Sequence, residues 1–531
     1  MDNGDPAAGE MELKSRSSIG QTLAKVFTTV FSRFNVTIFL VLLQAGYFAL
    51  LLFRLDNYAA WIGGSIRVIG LLMCLFIIWR NYNPMYTISW IFFIGVLPAL
   101  GTACYLFFGN KKPSHRLRNT LAPQDEAHLP DLAQSDDISD VCEERMQGTC
   151  SYLRDFGPFP AWEDTDAKYF PLGDDMFVSL VEDLKKAEKF IFLEFFIIGE
   201  GYMWKTIEDV LREKAAEGID VRVIYDDVGS IKVLPKNFNK HMEDAGIKVI
   251  TFNPVHPILS LAYNNRDHRK IAVIDGNVGY TGGVNLADEY INRIERFGHW
   301  KDCGLRIEGK AVWNFTVMFL NMWNAFRHND ETYDRFRPAL EEADEQEARR
   351  PGIVQPYGDS PLDEEHVGEF VYLDIINQAR KYLYIYTPYL LIDNEMQIAL
   401  ELAVKRGVKI TIVTPHIPDK PLVFLVSRSN YEPLLKAGVR IMEYTPGFVH
   451  SKVFVADDRM AVVGTVNMDF RSFFFHFECA SLLLDVPCIK DIRADFEDTF
   501  EKCTNVTQTF LNKRLVGRVI GAFLRVLSPL M

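Results

Sequence analysis

Apolar residues crowd the chain before Gly109; beyond it, short apolar runs alternate with polar stretches of helical period. Residues 36–53 (VTIFLVLLQAGYFALLLF) have the length and composition that cross a hydrocarbon core. Residues 87–108 (TISWIFFIGVLPALGTACYLFF) read as another span, with Trp90 and Tyr105 near its ends like interfacial anchors. Between them, Trp61 to Trp79 is interrupted by Arg67 and two glycines. It is either a span with a snorkelling or internally paired arginine or a shorter, half-inserted helix. No small-residue cleavage site follows the first run, so nothing reads as a removable signal.

From Pro113 to about Ala167 the chain is polar without a sustained period, as a tether is. The pattern then becomes alternating β and α. Phe190 to Ile198 is a buried-strand run, Met203 to Glu217 has helical spacing, and Val221 to Tyr225 is again strand-like, which predicts an α/β sheet. The same order returns later: Lys189-Phe-Ile-Phe-Leu matches Lys381-Tyr-Leu-Tyr-Ile, and Ala245-Gly-Ile-Lys-Val matches Ala437-Gly-Val-Arg-Ile at the same offset. The soluble part is therefore a duplication, with an insertion in the first copy around Pro254 to Asn265 and an acidic connection from Asp330 to Glu365. These patterns divide the chain into a polar segment 1–35, a membrane region 36–110 with two to three transmembrane helices, a linker 111–166, and α/β domains 167–345 and 346–531.

Charge adds a topology and removes a partner. Lys14, Arg16, Lys25 and Arg33 precede the first span, while Lys111, Lys112, Arg116 and Arg118 follow the last. An odd number of crossings cannot place both clusters in the cytoplasm; acidic neighbours dilute the first, so the second sets the expectation of a multi-pass cell-membrane protein with a cytoplasmic catalytic part. With 57 basic against 70 acidic side chains, the net charge of −13 argues against nucleic acid as partner. The eight cysteines (Cys74, Cys104, Cys142, Cys150, Cys303, Cys479, Cys488, Cys503) have neither zinc-ligand spacing nor a disulfide framework and read as reduced structural thiols. Phe510 to Leu527 interleaves Lys513, Arg514, Arg518 and Arg525 with apolar residues, fitting either an anionic membrane surface or a helix packed on the domain.

The candidate chemistry lies in a duplicated constellation. His268-Arg-Lys270 with Asp275 recurs as His450-Ser-Lys452 with Asp457, and Asn285 and Asn467 follow at matching distances. Residues two apart on a strand share a face, so each histidine points with its lysine. Asp275 and Asp457 belong to the pattern, and their place at the strand end predicts a turn-fixing role. Downstream, Gly282-Gly283-Val284-Asn285 and Gly464-Thr465-Val466-Asn467 combine small residues, which let a phosphate approach, with an amide donor. One imidazole attacks phosphorus and the other moves the proton, while lysines and asparagines hold the oxygens; this chemistry requires neither metal nor cofactor. Each imidazole needs an orienting carboxylate, for which Glu478 suits the second half and Asp302 the first. Asp226, Asp227, Glu194, Tyr386 and Pro388 lie at strand ends, where either ligand binding or plain strand termination accounts for them.

The double pattern resembles the phospholipase D superfamily. With Asn83-Pro84, Trp90, Pro98, Gly101, Tyr105 and Gly109, with Asn467-Met468-Asp469-Phe470-Arg471-Ser472 and with the ending Leu527-Ser528-Pro529-Leu530, the chain is similar to bacterial cardiolipin synthases from about Asn83 onward. The resemblance implies two duplicated phospholipase D-like α/β sandwich domains sharing one active site behind N-terminal transmembrane helices. It further implies transfer of a phosphatidyl group from one phosphatidylglycerol to another in the bilayer, giving cardiolipin and glycerol through a phosphohistidine, with His268 as nucleophile and His450 as acid/base. The site residues do not discriminate this from a phospholipase or phosphatidyltransferase that uses water or another alcohol. A membrane-anchored nuclease or an inactive scaffold ranks lower, because both constellations are intact and the chain is acidic.

Overall fold

Strand formation follows the apolar runs. In the first half the strands are β1 (Thr165–Phe170), β2 (Phe190–Phe195), β3 (Asp220–Asp226), β4 (Lys248–Phe252), β5 (Lys270–Ile274), β6 (Val278–Gly282), β7 (His299–Lys301) and β8 (Gly304–Gly309). In the second they are β9 (Ile353–Asp359), β10 (Tyr382–Tyr386), β11 (Lys409–Pro415), β12 (Arg440–Tyr444), β13 (Gly447–Val449), β14 (Val453–Ala456), β15 (Met460–Gly464), β16 (Glu478–Leu484) and β17 (Cys503–Asn505). This computed structural model describes residues 60–80, 83–109, 115–133, 144–255, 264–327, 332–338 and 352–506, with positions 42, 46, 113 and 521 and the stretches 523–526 and 528–530. The predicted span 36–53, apart from positions 42 and 46, the polar segment 1–35 and most of 510–527 lie outside the described residues.

The strand orders are β1-β8-β6-β5-β2-β3-β4 and β17-β12-β11-β10-β14-β15-β16-β9. Read from opposite ends they are the same sheet, with β17 added at one edge, so the repeat in the sequence is a repeat of topology. In both, three strands run parallel through helical crossovers (β2, β3, β4; β10, β11, β12) and the rest pair antiparallel. The central strands β2, β5, β14 and β15 are buried on both faces, which is why they read as continuous apolar runs. The helix Val312–Phe326, buried on every side, lies against β5 of one sheet and β9 of the other. Its Asn314 satisfies the carbonyls of Pro160 and Pro356 at 2.9 and 2.7 Å, stitching the halves at a place where water cannot serve.

The third sheet has two strands and belongs to both halves: β7 pairs in parallel with β13. A bridge of Asp267 with Phe477 makes the corresponding contact on the other side. The halves are thus joined by main-chain pairing on both flanks of the line where the histidines stand.

The apolar region corrects the reading of 87–108 as one span. It forms two helices, Pro84–Val96 and Pro98–Phe108, broken where Leu97 leaves helical geometry (φ −131°, ψ 73°) ahead of a proline that has no N–H to continue the ladder. The helices fold back on each other; a Cβ on Gly101 would stand 2.7 Å from the Ile94 backbone, so glycine is what allows the approach. At the open end, the Tyr86 hydroxyl donates to the Gly109 carbonyl at 3.0 Å. A segment whose two ends meet does not cross. Among the described residues, no helix is long and apolar enough to cross a membrane. The helix Ala60–Trp79 packs beside this hairpin and leaves Val68, Leu71, Leu72, Leu75 and Ile78 exposed.

Candidate active site between the two halves

His268 lies immediately before β5 and His450 between β13 and β14, each followed two residues on by its lysine. Both histidines are at most 8% exposed. His268 Nδ1 bonds the Glu478 carboxylate at 2.8 and 2.9 Å, and His450 Nδ1 bonds Asp302 Oδ2 at 2.7 Å. The sequence identified both carboxylates but paired each with the histidine of its own half; the structure crosses them. The main chain enforces the exchange: His268 N–H donates to the Phe477 carbonyl at 2.9 Å and His450 N–H to the Lys301 carbonyl at 2.8 Å, the residue before the carboxylate in each case. A carboxylate on Nδ1 fixes the proton there and leaves Nε2 as the free, basic nitrogen.

The two carboxylates are accommodated differently. Thr465 donates its hydroxyl to Glu478, while at the matching position Gly283 has no side chain, and a Cβ there would fall 2.0 Å from Asp302 Oδ1. The glycine expected to admit a phosphate therefore makes room for an aspartate. Asp302 also accepts the Cys303 N–H at 2.9 Å, and His450 and its hydrogen bond hold its pKa down against burial.

Lys270 Nζ donates to the His268 carbonyl at 2.7 Å, and Lys452 likewise to the His450 carbonyl. Burial lowers their pKa values to about 8 and about 7. Burial also holds His268 well below its ordinary value, reinforced by the charges of Lys270, Lys452 and His450. His450 is lowered to about 4, again chiefly by burial and Lys452, with Asp302 pulling in the opposite direction. The crossed carboxylates, with the pairing of β7 to β13 and of Asp267 to Phe477, bring both histidines and their lysines to the junction of the halves.

Asn285 accepts the Ile197 N–H at 3.0 Å and donates to the Tyr290 hydroxyl at 2.8 Å; Asn467 donates to Ser472 Oγ at 3.1 Å and keeps its buried Oδ1 without a hydrogen bond. Asp275 and Asp457 are not with them. Asp275 accepts the N–H groups of Glu188, Lys189 and Phe190, each at 2.8 Å, and Asp457 those of Arg380, Lys381 and Tyr382. Seven residues of strand and flanking chain, at most about 23 Å at about 3.3 Å per residue, separate Asp275 from His268, so both aspartates hold the sheet, in keeping with the turn-fixing role their place at the strand end predicts.

The strand-end residues serve the scaffold as well. Asp226 accepts the N–H groups of Val228, Gly229 and Asp267, Asp227 that of Val255, and the Tyr386 hydroxyl donates to the Asp495 carbonyl. Glu194, pushed up to about 7 by burial, lies 3.8 Å from Arg269 beneath the site.

Sequence reasoning passed over Tyr290, whose ring centre is 5.5 Å from that of His450, and His476, 5.5 Å from His268. His476 stands at the bend that leads from the helix Phe470–Phe474 into β16, where no strand period marks it in the sequence. His268, His476 and Glu478 bring one ligand atom each within 4.8 Å of one another, but the lysine charges beside them oppose a cation. The described cysteines Cys74, Cys104, Cys150, Cys303, Cys479, Cys488 and Cys503 are free thiols.

Two repeated sheets that exchange orienting carboxylates around paired histidines and lysines have the architecture of phospholipase D-type enzymes. Residues 180–323 and 372–500 match the family model described as cardiolipin synthase, PLD-like domain. The chain is 35% identical over 457 residues to cardiolipin synthase 2 of Bacillus anthracis, covering 85% of this chain and 88% of that one. It is 32% identical over 513 residues to the cardiolipin synthase of Alkalihalophilus pseudofirmus, covering 94% and 100%. An uncharacterized protein of Streptococcus mutans is 43% identical over 461 residues, covering 86% and 99%. The crystal structure of a Haemophilus influenzae phosphatidylserine synthase, 14% identical, superposes with a TM-score of 0.55 over 72% of this chain and 100% of that one, which shows the shared fold. The chain belongs to the cardiolipin synthase family, and it is a phosphatidyltransferase of the phospholipase D type.

Proposed function

We propose that this enzyme transfers the phosphatidyl group of one phosphatidylglycerol to the headgroup hydroxyl of a second, releasing glycerol and forming cardiolipin. The observation that carries the reading is the crossed orientation of two buried imidazoles beside two buried lysines. His268 Nε2 attacks phosphorus, the P–O bond to glycerol breaks, and His450 gives its proton to the departing alkoxide. In the second step the acceptor hydroxyl attacks the phosphohistidine, His450 takes the proton, and the P–N bond breaks. The assignment of nucleophile and acid follows the resemblance to the family, since each imidazole has a carboxylate on Nδ1 and each is held down by burial and the lysine charges. Lys270, Lys452 and the second N–H of each asparagine amide hold the equatorial oxygens.

The reaction takes place at the cell membrane, with the catalytic part on the cytoplasmic side. Exposed apolar side chains on the helix Ala60–Trp79 and the neighbouring hairpin support contact with the membrane, and the basic residues after the hairpin support the cytoplasmic side. The purified chain incubated with phosphatidylglycerol alone is expected to yield cardiolipin and glycerol. Phosphatidic acid without cardiolipin would show that water is the acceptor and defeat the proposal.

A further inference from the structure

The reaction proposed above brings two anionic lipids together, and the paired lysines serve the phosphate that reacts. The acceptor carries a second phosphodiester, three carbons from its attacking hydroxyl, which must lie beside the site without entering it. Like charges at that range repel, and a cation beside the second phosphodiester offsets the repulsion.

Lys420 stands at the edge of this site: it is bonded to Tyr389, whose chain neighbour Leu390 bridges Met468, the residue after Asn467. Its ammonium is held by the Tyr389 hydroxyl at 2.5 Å and Asp419 Oδ2 at 2.6 Å, and the Tyr389 hydroxyl also donates to Asp419 at 2.6 Å. The loop that carries Tyr389 is fixed there further, since Leu391 N–H donates to the Met468 carbonyl at 2.9 Å. Asp419 and Tyr389 take two of the three ammonium hydrogens, and the side chain remains 59% exposed, leaving the third donor for a ligand from solvent. Lys270 and Lys452, by contrast, are 1% exposed.

We propose that Lys420, clamped by Tyr389 and Asp419, is the subsite for the non-reacting phosphodiester of the acceptor lipid. The inference rests on the phosphatidylglycerol reading and gives it a means of preferring a phospholipid over water or free glycerol. A charge-assisted hydrogen bond at an exposed position corresponds to about a tenfold preference.

Two reactions of the same phosphoenzyme separate the subsite from the chemistry. Exchange of radiolabelled glycerol into phosphatidylglycerol uses a neutral acceptor, whereas cardiolipin formation uses an anionic one. In mixed micelles of phosphatidylglycerol, Lys420→Gln is expected to lower the ratio of cardiolipin formation to glycerol exchange about tenfold, chiefly through KM, and Lys420→Arg to restore it. A ratio equal to that of the unaltered chain, or a fall in both reactions together, overturns the subsite. Failure of the unaltered chain to make cardiolipin while exchange proceeds overturns the phosphatidylglycerol reading instead.

Discussion

Asp302 and Glu478 each serve the histidine of the other half, so their substitution tests the roles of the two imidazoles separately. Glu478→Gln deprives His268 of its orienting charge, and Asp302→Asn does the same to His450; each is expected to lower kcat about a hundredfold or more. A phosphatidyl ester of p-nitrophenol distinguishes them, because that leaving group needs no proton. Asp302→Asn should keep a rapid burst of p-nitrophenol, and Glu478→Gln should lose it; the reverse pattern would exchange nucleophile and acid. The lysines set the alkaline limb. Lys452, at about 7, and Lys270, at about 8, lose their positive charge as pH rises, so KM should increase between those values and beyond. A bound phosphodiester favours the charged ammonium, which moves the limb in kcat to higher pH than the limb in kcat/KM. Initial rates against pH with a micellar short-chain substrate give both.

Among the elements, the sheets gain most from the two aspartates that close the histidine and lysine pattern at the strand ends. Asp275 and Asp457 stand at positive φ, 53° and 58°, and each gathers three successive N–H groups at the start of the neighbouring strand. Removing such an acceptor leaves donors poorly served, and alanine adds strain in the left-handed region. Asp275→Ala is expected to cost about 2 kcal/mol of stability, seen as a lower denaturation midpoint with little change in kcat. A collapse of kcat in the folded variant would return Asp275 to the catalytic machinery. The strands themselves were legible, because burial on both faces writes continuous apolar runs such as Phe190–Phe195. The hairpin was not: Pro84–Val96 and Pro98–Phe108 have the composition of one span, and only the turn at Leu97 and the Gly101 contact reveal the reversal.

At the scale of the whole molecule, the reversal bears on the topology that charge left in conflict. Because Tyr86 and Gly109 meet, residues before and after the hairpin lie on one side of whatever it enters. Cysteines introduced for the exposed Arg80 and His115 in a cysteine-free background should both react with an impermeant thiol reagent in opened cells and both be protected in intact ones. Opposite protection would restore a single crossing over 87–108, and labelling of both in intact cells would place the catalytic part outside. Cys303 itself is fully buried and cannot report.

The sequence by itself determined the duplicated α/β halves, the two His–Lys strands, the asparagines and the pair of carboxylates, because each is written in local period and repeat: strand faces alternate by two, and a duplicated gene copies its motifs in order. Tertiary structure decided which carboxylate orients which histidine. Residues 268 and 478, or 302 and 450, are related by no period; they meet because β7 pairs with β13 and Asp267 with Phe477 across the junction of the halves. That junction also turned Gly283 from a phosphate contact into space for Asp302. One-dimensional pattern records which face a side chain takes, while the partner on that face depends on how two sheets dock.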